Sequence, residues 1–319
     1  MIEVNNLTKN YGENNAIEGL SFKIEKGEIV GFLGPNGAGK TTTMKILTGS
    51  MAPTSGQVKI SGVDVFEEPI KAKSHIGYLP ETPPLYMDMK VQDYLAYVAS
   101  LRGVTKDLKA DYINEALEHL DLKSVRGRMI GHLSKGFKQR VGVAQAIVSK
   151  PDVLILDEPT VGLDPTQVAH FRELLAELKG KHTIILSTHI LPEVQASCEK
   201  VIIINSGKIV AQDTLVGLSE KTSKGMLRVQ IKVKRVKENA LSAIDHFSFV
   251  EMSKVIQNQI HLDLKGGEES LENISSHIVE SGMGLLEMNV STEKLEDIFI
   301  ELTNSRSKNS SLNHEGVKL

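Results

Sequence analysis

The chain of 319 residues carries a net charge of −3, with 40% hydrophobic and 24% charged residues. This length allows two domains with buried cores, and the charge gives no general attraction for nucleic acid or an anionic membrane. No apolar run reaches the roughly 18 residues of a transmembrane helix, and the first residues lack a signal-peptide pattern. The single cysteine, Cys198, excludes an internal disulfide and fits a reducing cytosol.

Short stretches near the start of the chain alternate apolar and polar residues. Residues 2–7, 20–24 and 57–60 have this period of two, which predicts a small antiparallel sheet. Tyr11 ends the first stretch. By itself it is an ordinary strand aromatic, and beside a nucleotide site it is a candidate to stack on a base.

A glycine-rich loop lies between a predicted buried strand, residues 29–33, and an apolar-periodic helix. The loop has the pattern G-x-x-x-x-G-K-[ST], which cradles polyphosphate. Its glycines allow backbone N–H groups to turn inward. Lys40 is suited to the β- and γ-phosphates, and the Thr41 hydroxyl to Mg²⁺. The predicted phosphate-binding residues are Gly34, Pro35, Asn36, Gly37, Ala38, Gly39, Lys40, Thr41 and Thr42.

From residue 82 to about residue 150, apolar residues recur mostly at helical spacing, which predicts a helical subdomain inserted between strands of the core. Ser134 is a suitable N-cap for the last of these helices. An apolar group near the start of the insertion is interpreted equally well as a docking surface or as core. Its members are Met87, Met89, Tyr94 and Tyr97.

Two further apolar strands end in polar residues. Residues 153–156 lead into Asp157 and Glu158, and residues 183–186 lead toward His189. Continuous apolar runs are typical of parallel strands covered on both faces, and such sheets bind ligands at the carboxyl ends of their strands. We therefore predict that Asp157 holds Mg²⁺ directly or through water. Glu158 is predicted to polarise the attacking water, and His189 to sense the γ-phosphate.

The alternation of strands and helices predicts an α/β fold for residues 1–220. Residues 214–225 are polar and are interpreted as a linker. The next domain, residues 221–303, has the order βαββαβ of a ferredoxin-like arrangement, followed by a helix over 295–302. The polar residues 304–319 are predicted to be disordered.

The phosphate loop alone leaves kinases, GTPases and ATPases open. Together the motifs resemble the ATP-binding cassette ATPases of ABC transporters over about residues 1–220, in family order. Leu-Ser-Lys-Gly-Phe-Lys-Gln-Arg at residues 133–140 resembles the family signature, Glu81 falls at the Q-loop, and residues 162–164 resemble the D-loop. The resemblance implies ATP as the nucleotide and Tyr11 as its adenine-stacking ring. It also implies a RecA-like core with an antiparallel β-subdomain and a helical subdomain.

The same resemblance implies partners. In the family, the signature closes over ATP held by a second subunit, so Ser134, Lys135 and Gly136 would contact the nucleotide of a second cassette, expected to be an identical copy. A separate polytopic membrane permease is also implied, since this chain has no spanning segment of its own. We therefore expect a cytoplasmic protein, peripheral on the inner face of the cell membrane.

Two motifs, the signature and the Q-loop, depart from the usual family pattern. In the signature, Lys135 and Phe137 replace a glycine and the glutamine. Lys135 keeps the site electropositive, so the ATP contact is expected to remain, while Phe137 loses an amide donor. Glu81 replaces the Q-loop glutamine and still offers an oxygen ligand, so the expected Mg²⁺ ligands are Thr41, Glu81 and Asp157. Both departures resemble cassettes of the ABC-2 export type, including the gliding-motility and multidrug-type subgroup.

The second hypothesis is a soluble cassette ATPase that acts on ribosomes or nucleic acid. Translation factors of that kind carry two cassettes in one chain, and this chain has one phosphate loop and one signature. Chromosome-maintenance relatives need long coiled coils, and residues 50–132 have no sustained heptads. The slightly acidic composition also argues against nucleic acid as a partner. For the C-terminal domain, regulation or dimerisation is favoured over an independent ligand-binding role.

Overall fold

The computed structural model describes residues 1–218, 226–265, 268–291 and residue 299. The chain divides between Gln212 and Asp213 into two compact units. Most of the predicted helix over 295–302, the predicted tail over 304–319, and residues 219–225 of the predicted linker lie outside the described residues.

The first unit contains two sheets. In chain order its strands are β1 (Ile2–Tyr11), β2 (Asn14–Ile24), β3 (Ile29–Leu33), β4 (Ser55–Ile60), β5 (Val63–Asp64), β6 (Ile76–Leu79), β7 (Val153–Asp157), β8 (Thr183–Thr188), β9 (Lys200–Asn205) and β10 (Lys208–Thr214), whose last residues pass the division. The order β2-β1-β4-β5 forms the predicted antiparallel sheet, with Val4 opposite both Phe22 and Val58. This β-subdomain confirms the alternation seen in the sequence.

The second sheet of this unit, in the order β10-β9-β3-β8-β7-β6, is parallel from β9 to β6. Every residue of β3, β7 and β8 is buried, because helices cover both faces of such a sheet. The register places Leu33 beside Thr188, and Asp157 beside Ser187. The carboxyl ends of the three strands therefore lie together, which sets the phosphate loop beside the ends of β7 and β8.

Seven α-helices of the first unit surround these sheets. They are α1 (Lys40–Leu47), α2 (Pro69–Ser74), α3 (Val91–Leu101), α4 (Lys106–His119), α5 (Lys135–Ile147), α6 (Pro165–Leu178) and α7 (Leu191–Ser197), with short 3-10 turns at Lys123–Val125 and Ile130–His132. Helices α3, α4 and α5 form the predicted insertion. Tyr94 is buried and belongs to its core, whereas Met87 and Tyr97 are exposed and Met89 is half-buried.

The described part of the second unit is a small α+β domain. Its elements are β11 (Met226–Val233), α8 (Glu238–Ile244), β12 (Val250–Ile256), β13 (Gln259–Lys265), α9 (Glu268–Glu280) and β14 (Leu285–Ser291). The strands pair antiparallel in the order β12-β13-β11-β14, which confirms the predicted ferredoxin-like arrangement. Its core joins sheet residues such as Ile231 and Leu262 to Ile274 and Ile278 of α9. Residues 215–218, within the predicted linker, are helical.

Candidate functional site

A pocket of about 490 Å³ lies at the carboxyl ends of β3, β7 and β8. It brings together side chains that the sequence predicted from separate motifs. The lining residues are Ala16, Asn36, Gly37, Gly39, Lys40, Thr41, Thr42, Glu81, Glu158, Val161 and His189. Phosphate-binding, metal-binding and catalytic candidates therefore share one cavity.

The loop between β3 and α1 requires glycine at specific positions. Gly37 and Gly39 have φ of +79° and +106°, a region that other residues rarely adopt. Gly34 has no room for a side chain, because a Cβ there would lie 2.4 Å from the carbonyl oxygen of Ile204. The loop leads directly into α1, whose N-terminus carries the partial positive charge that favours anions.

Lys40 is the cation at the centre of the pocket, and 6% of the residue is exposed. Its Nζ donates to the carbonyl oxygens of Gly34 at 2.8 Å and Pro35 at 3.2 Å. The same Nζ lies 3.3 Å from Oε1 of Glu158. The ammonium is thus held where the loop closes, with its charge directed at the catalytic candidate.

Glu158 lies between Lys40 and His189. Its Oε2 is 2.9 Å from Nδ1 of His189, and its backbone N–H donates to the carbonyl oxygen of Ser187 at 2.9 Å. The residue adopts φ +49°, which costs an L-residue with a Cβ on the order of 1–2 kcal/mol. The surrounding contacts must therefore stabilise this conformation, which turns the carboxylate into the pocket.

Asp157 is fully buried at the end of β7, and neither of its carboxylate oxygens has a hydrogen-bond partner. Burial raises the pKa of Asp157, opposed by the hydroxyls of Ser187 and Thr41 and reinforced by the charges of Glu158 and Glu81. These hydroxyls lie close by without completing a hydrogen bond to it, and Oγ of Ser187 is itself unpartnered. A buried carboxylate without a partner, near a second carboxylate and a threonine hydroxyl, suits Mg²⁺, which prefers hard oxygen ligands.

The signature residues do not line this pocket. Oγ of Ser134 accepts a hydrogen bond from the backbone N–H of Phe137 at 3.4 Å and caps α5, as predicted. A Cβ on Gly136 would lie 2.4 Å from Oε1 of Gln167, so glycine allows α5 to approach α6 closely. Lys135 lies against Gly162. A Cβ added to Gly162 would lie only 1.9 Å from Nζ of Lys135.

Tyr11 also lies outside the residues that line the pocket. The residue is 48% exposed, and its hydroxyl donates to Sδ of Met51 at 2.9 Å. The ammonium of Lys9 lies 5.6 Å from the centre of its ring. One face of this aromatic therefore carries a cation, and the role of the ring as a base-stacking platform stays a prediction.

Sequence reasoning missed several residues that hold the loop after β7, which begins with the catalytic candidate Glu158. Nε2 of the buried Gln139 in α5 donates to the carbonyl oxygen of Pro159 at 2.8 Å. Thr160 donates to the buried Glu193 of α7. One feature of the sequence could have drawn attention to Glu193: it is a charged residue in a short segment that also contains the apolar Leu191 and Val194. Neither contact follows from spacing, since both partners are distant in sequence.

Comparison with known proteins identifies close relatives. The family described as "ABC transporter" matches residues 17–161. The bacitracin transport ATP-binding protein BcrA of Bacillus licheniformis is 34% identical over 307 residues, which are 95% of this chain and 97% of BcrA. The linearmycin resistance ATP-binding protein LnrL of Bacillus subtilis is 31% identical over 306 residues, which are 95% of this chain and 98% of LnrL. These relatives extend over nearly the whole chain.

Solved structures share the fold. The dimeric bacterial ABC transporter cassette MJ0796 has a TM-score of 0.63 and 25% identity, over 67% of this chain and 99% of that cassette. The cbiO1 protein of Clostridium perfringens, part of the ABC transporter complex cbiONQ, has a TM-score of 0.62 and 28% identity, over 70% of this chain and 92% of its own. Among the residues that the structure describes, no helix combines the length and apolarity needed to cross a membrane.

Proposed function

Because this chain belongs to the ATP-binding subunits of ABC transporters, which couple ATP hydrolysis to transport, we propose that it powers export through a separate membrane permease. The observation that carries the hydrolytic part is the contact of Glu158 with both Lys40 and His189 in one pocket. The export direction is supported by LnrL, whose name states a role in linearmycin resistance, together with the transport role in the name of BcrA.

In this proposal the phosphates of ATP lie in the loop from Gly34 to Thr42. Lys40 exchanges its carbonyl contacts for oxygens of the β- and γ-phosphates, which are stronger acceptors because they are charged. Thr41, Asp157 and Glu81 would hold Mg²⁺, since each offers a hard oxygen ligand. When bound, the ion supplies positive charge that neutralises the transferring phosphoryl group.

Glu158 then serves as the group that orients and deprotonates water. Its carboxylate has one oxygen toward Lys40 and the other toward His189, so it is fixed at two points and projects beside the phosphate loop. His189 donates from its ring to the γ-phosphate or to Glu158, according to its tautomer. Attack of the water on the γ-phosphorus would form the new P–O bond and break the bond from that phosphorus to ADP, and Glu158 would accept the proton of the water. The products are ADP and inorganic phosphate.

We propose that the complete site requires a second copy of the chain. Ser134, Lys135 and Gly136 lie at the N-terminus of α5, which favours an anion, yet none of them lines the pocket around Lys40. The cassette MJ0796 is dimeric. Each copy would therefore offer its α5 N-terminus to the γ-phosphate held by the other, and hydrolysis would remove that contact.

The partner in the membrane would be a polytopic permease, since cbiO1 is part of an ABC transporter complex. The exposed side chains of Tyr86, Met87 and Tyr97 form an apolar surface on the helical insertion, and the ring centres of Tyr86 and Tyr97 are 5.7 Å apart. We assign this Tyr86–Met87–Tyr97 surface to permease contact. The chain would then act in the cytoplasm, peripheral on the inner face of the membrane.

Affinity purification from the membranes of the native cell, with mass spectrometry, tests this assignment. The proposal predicts a polytopic membrane protein at stoichiometric level with the unaltered chain. Tyr97→Glu should lose this partner while ATP hydrolysis persists, and Leu108→Glu, a matched change at a similarly exposed residue of α4, should retain it. Recovery with ribosomes or nucleic acid instead, and without a membrane protein, would overturn the transport assignment in favour of a soluble cassette ATPase.

A further inference from the structure

Glu193 is a buried carboxylate that the proposed chemistry does not use. It lies in α7, and 5% of the residue is exposed. Its Oε1 accepts from the hydroxyl of Thr160 at 2.5 Å, and its Oε2 accepts from the hydroxyl of Thr188 at 2.9 Å. Both threonines are buried. A buried charge held by two neutral hydroxyls costs desolvation free energy, so the arrangement calls for a functional explanation.

The two threonines belong to the two segments that carry the catalytic candidates. Thr160 follows Glu158 by two residues, and Thr188 immediately precedes His189. Oγ1 of Thr188 also accepts from the backbone N–H of Ile190 at 3.1 Å, so the backbone is fixed on both sides of His189. One carboxylate thus connects the loop after β7 to the last residue of β8.

Helix α7 gives this carboxylate a rigid support. Val194, the neighbour of Glu193, is fully buried, and a Cβ on Gly31 of β3 would lie 2.6 Å from its Cγ1. Glycine at position 31 therefore allows α7 to pack directly on the strand that leads into the phosphate loop. Close packing of this kind leaves little freedom to shift.

We propose that Glu193 is a positioning residue that sets the contact between Glu158 and His189. The left-handed backbone of Glu158 needs support from its surroundings. Thr160 transmits this support from Glu193, and Thr188 fixes the residue before His189. Neither threonine nor Glu193 is among the residues that line the pocket, so the effect acts through Glu158 and His189. The proposal rests on the proposed roles of these two residues in hydrolysis.

A positioning role predicts a loss of turnover without a loss of ATP binding. Thr160→Val and Thr188→Val each remove one hydroxyl and keep the shape of the side chain. We expect kcat to fall about 10- to 100-fold, the scale of an angstrom-level misplacement, while KM for ATP changes less than about twofold. Glu193→Ala should lose at least as much, and Glu193→Gln should recover part of the activity because its amide keeps one acceptor and the same length.

Asp64→Asn is the matched control for stability. Asp64 is also a buried carboxylate with several partners, namely the backbone N–H groups of Phe66 and Glu67 and the side chain of Gln57, but it lies in the β-subdomain. We expect this variant to lower Tm by an amount comparable to the valine variants and to keep kcat. If kcat instead fell in proportion to Tm in all of these variants, the positioning role would be overturned.

A double-mutant comparison separates positioning from an independent effect. In a His189→Ala background, Thr188→Val should change the residual kcat by less than about twofold, since the contact it supports is already absent. Multiplicative losses would contradict action through His189. The single variant Glu158→Gln separates the two proposals. If it still hydrolyses ATP, the proposed role of Glu158 fails; if it is inactive while the threonine and Glu193 variants keep normal kcat, only the positioning role of Glu193 fails.

Discussion

The two halves of the candidate ATP site are built in opposite ways. Lys40 and Glu158 are buried and each is fixed by several contacts, and Asp157 is fully buried. Tyr11 and Ser134, assigned to the adenine ring and to a γ-phosphate, are more exposed and lie outside the pocket. The difference supports the proposal that one chain preorganises the phosphate chemistry, whereas the exposed half would gain its contacts when nucleotide and a second copy bind.

The largest effect should come from the buried half. Glu158→Gln keeps the size of the side chain and removes the base, so phosphate release should fall about 10²- to 10⁴-fold, the range for general-base catalysis. ATP binding, measured by titration calorimetry, should persist. The matched change Glu173→Gln, at an exposed residue of α6, should keep wild-type turnover. Normal hydrolysis by Glu158→Gln would remove Glu158 from the mechanism.

Lys40→Ala tests binding rather than chemistry. The variant removes the cation that faces Glu158 and is assigned to the β- and γ-phosphates. We expect ATP affinity to fall about 10- to 100-fold, consistent with a charge-assisted hydrogen bond of about 1.5–3 kcal/mol. Lys45→Ala, in the last turn of the same helix, is the control. Equal ATP affinity in Lys40→Ala and the unaltered chain would contradict the assignment of the loop.

A smaller effect, on thermal stability, is expected from Asp157→Asn in metal-free buffer. The pKa of Asp157 is raised in the folded protein, mainly by burial, so its charged form lowers the free energy of unfolding at neutral pH. The neutral amide removes this cost. Tm at pH 7.5 should rise by about 2–4 °C, the shift expected from ~1 kcal/mol in a domain of this size.

The pH dependence gives the control for that variant. As pH falls through the raised pKa, Asp157 of the unaltered chain becomes protonated and its penalty disappears, so the difference in Tm should shrink. Added Mg²⁺ with ATP should stabilise the unaltered chain more than Asp157→Asn. A difference in Tm that is constant with pH would show that burial of the charge is not its cause.

The same contrast separates what the sequence predicts well from what it does not. The strand–loop–helix around Lys40 and the apolar strand before Asp157 are local patterns, because backbone geometry and burial on both faces dictate their residues. The βαββαβ order of the second unit is also predictable, since period-two and helical periodicities differ clearly there.

Contacts between segments that are distant along the chain produce no local pattern in the sequence. The hydrogen bonds of Glu193 to Thr160 and of Gln139 to Pro159 span 33 and 20 positions, and only the folded sheet brings these groups together. Tyr94 is another example, because periodicity alone does not tell whether an aromatic side chain of a helix faces core or solvent. In the structure it is buried, beside the exposed Tyr86.

The central claim is that a second copy of the chain completes the exposed half of the ATP site. The most direct test is the molecular mass in solution, measured by light scattering. The Glu158→Gln variant is used so that ATP is not consumed. We predict a monomer without nucleotide and a dimer with ATP and Mg²⁺. Adding Ser134→Arg should abolish the dimer while ATP still binds. A Glu158→Gln chain that stays monomeric when saturated with ATP, or a Ser134→Arg chain that dimerises normally, would contradict a site completed by a second copy.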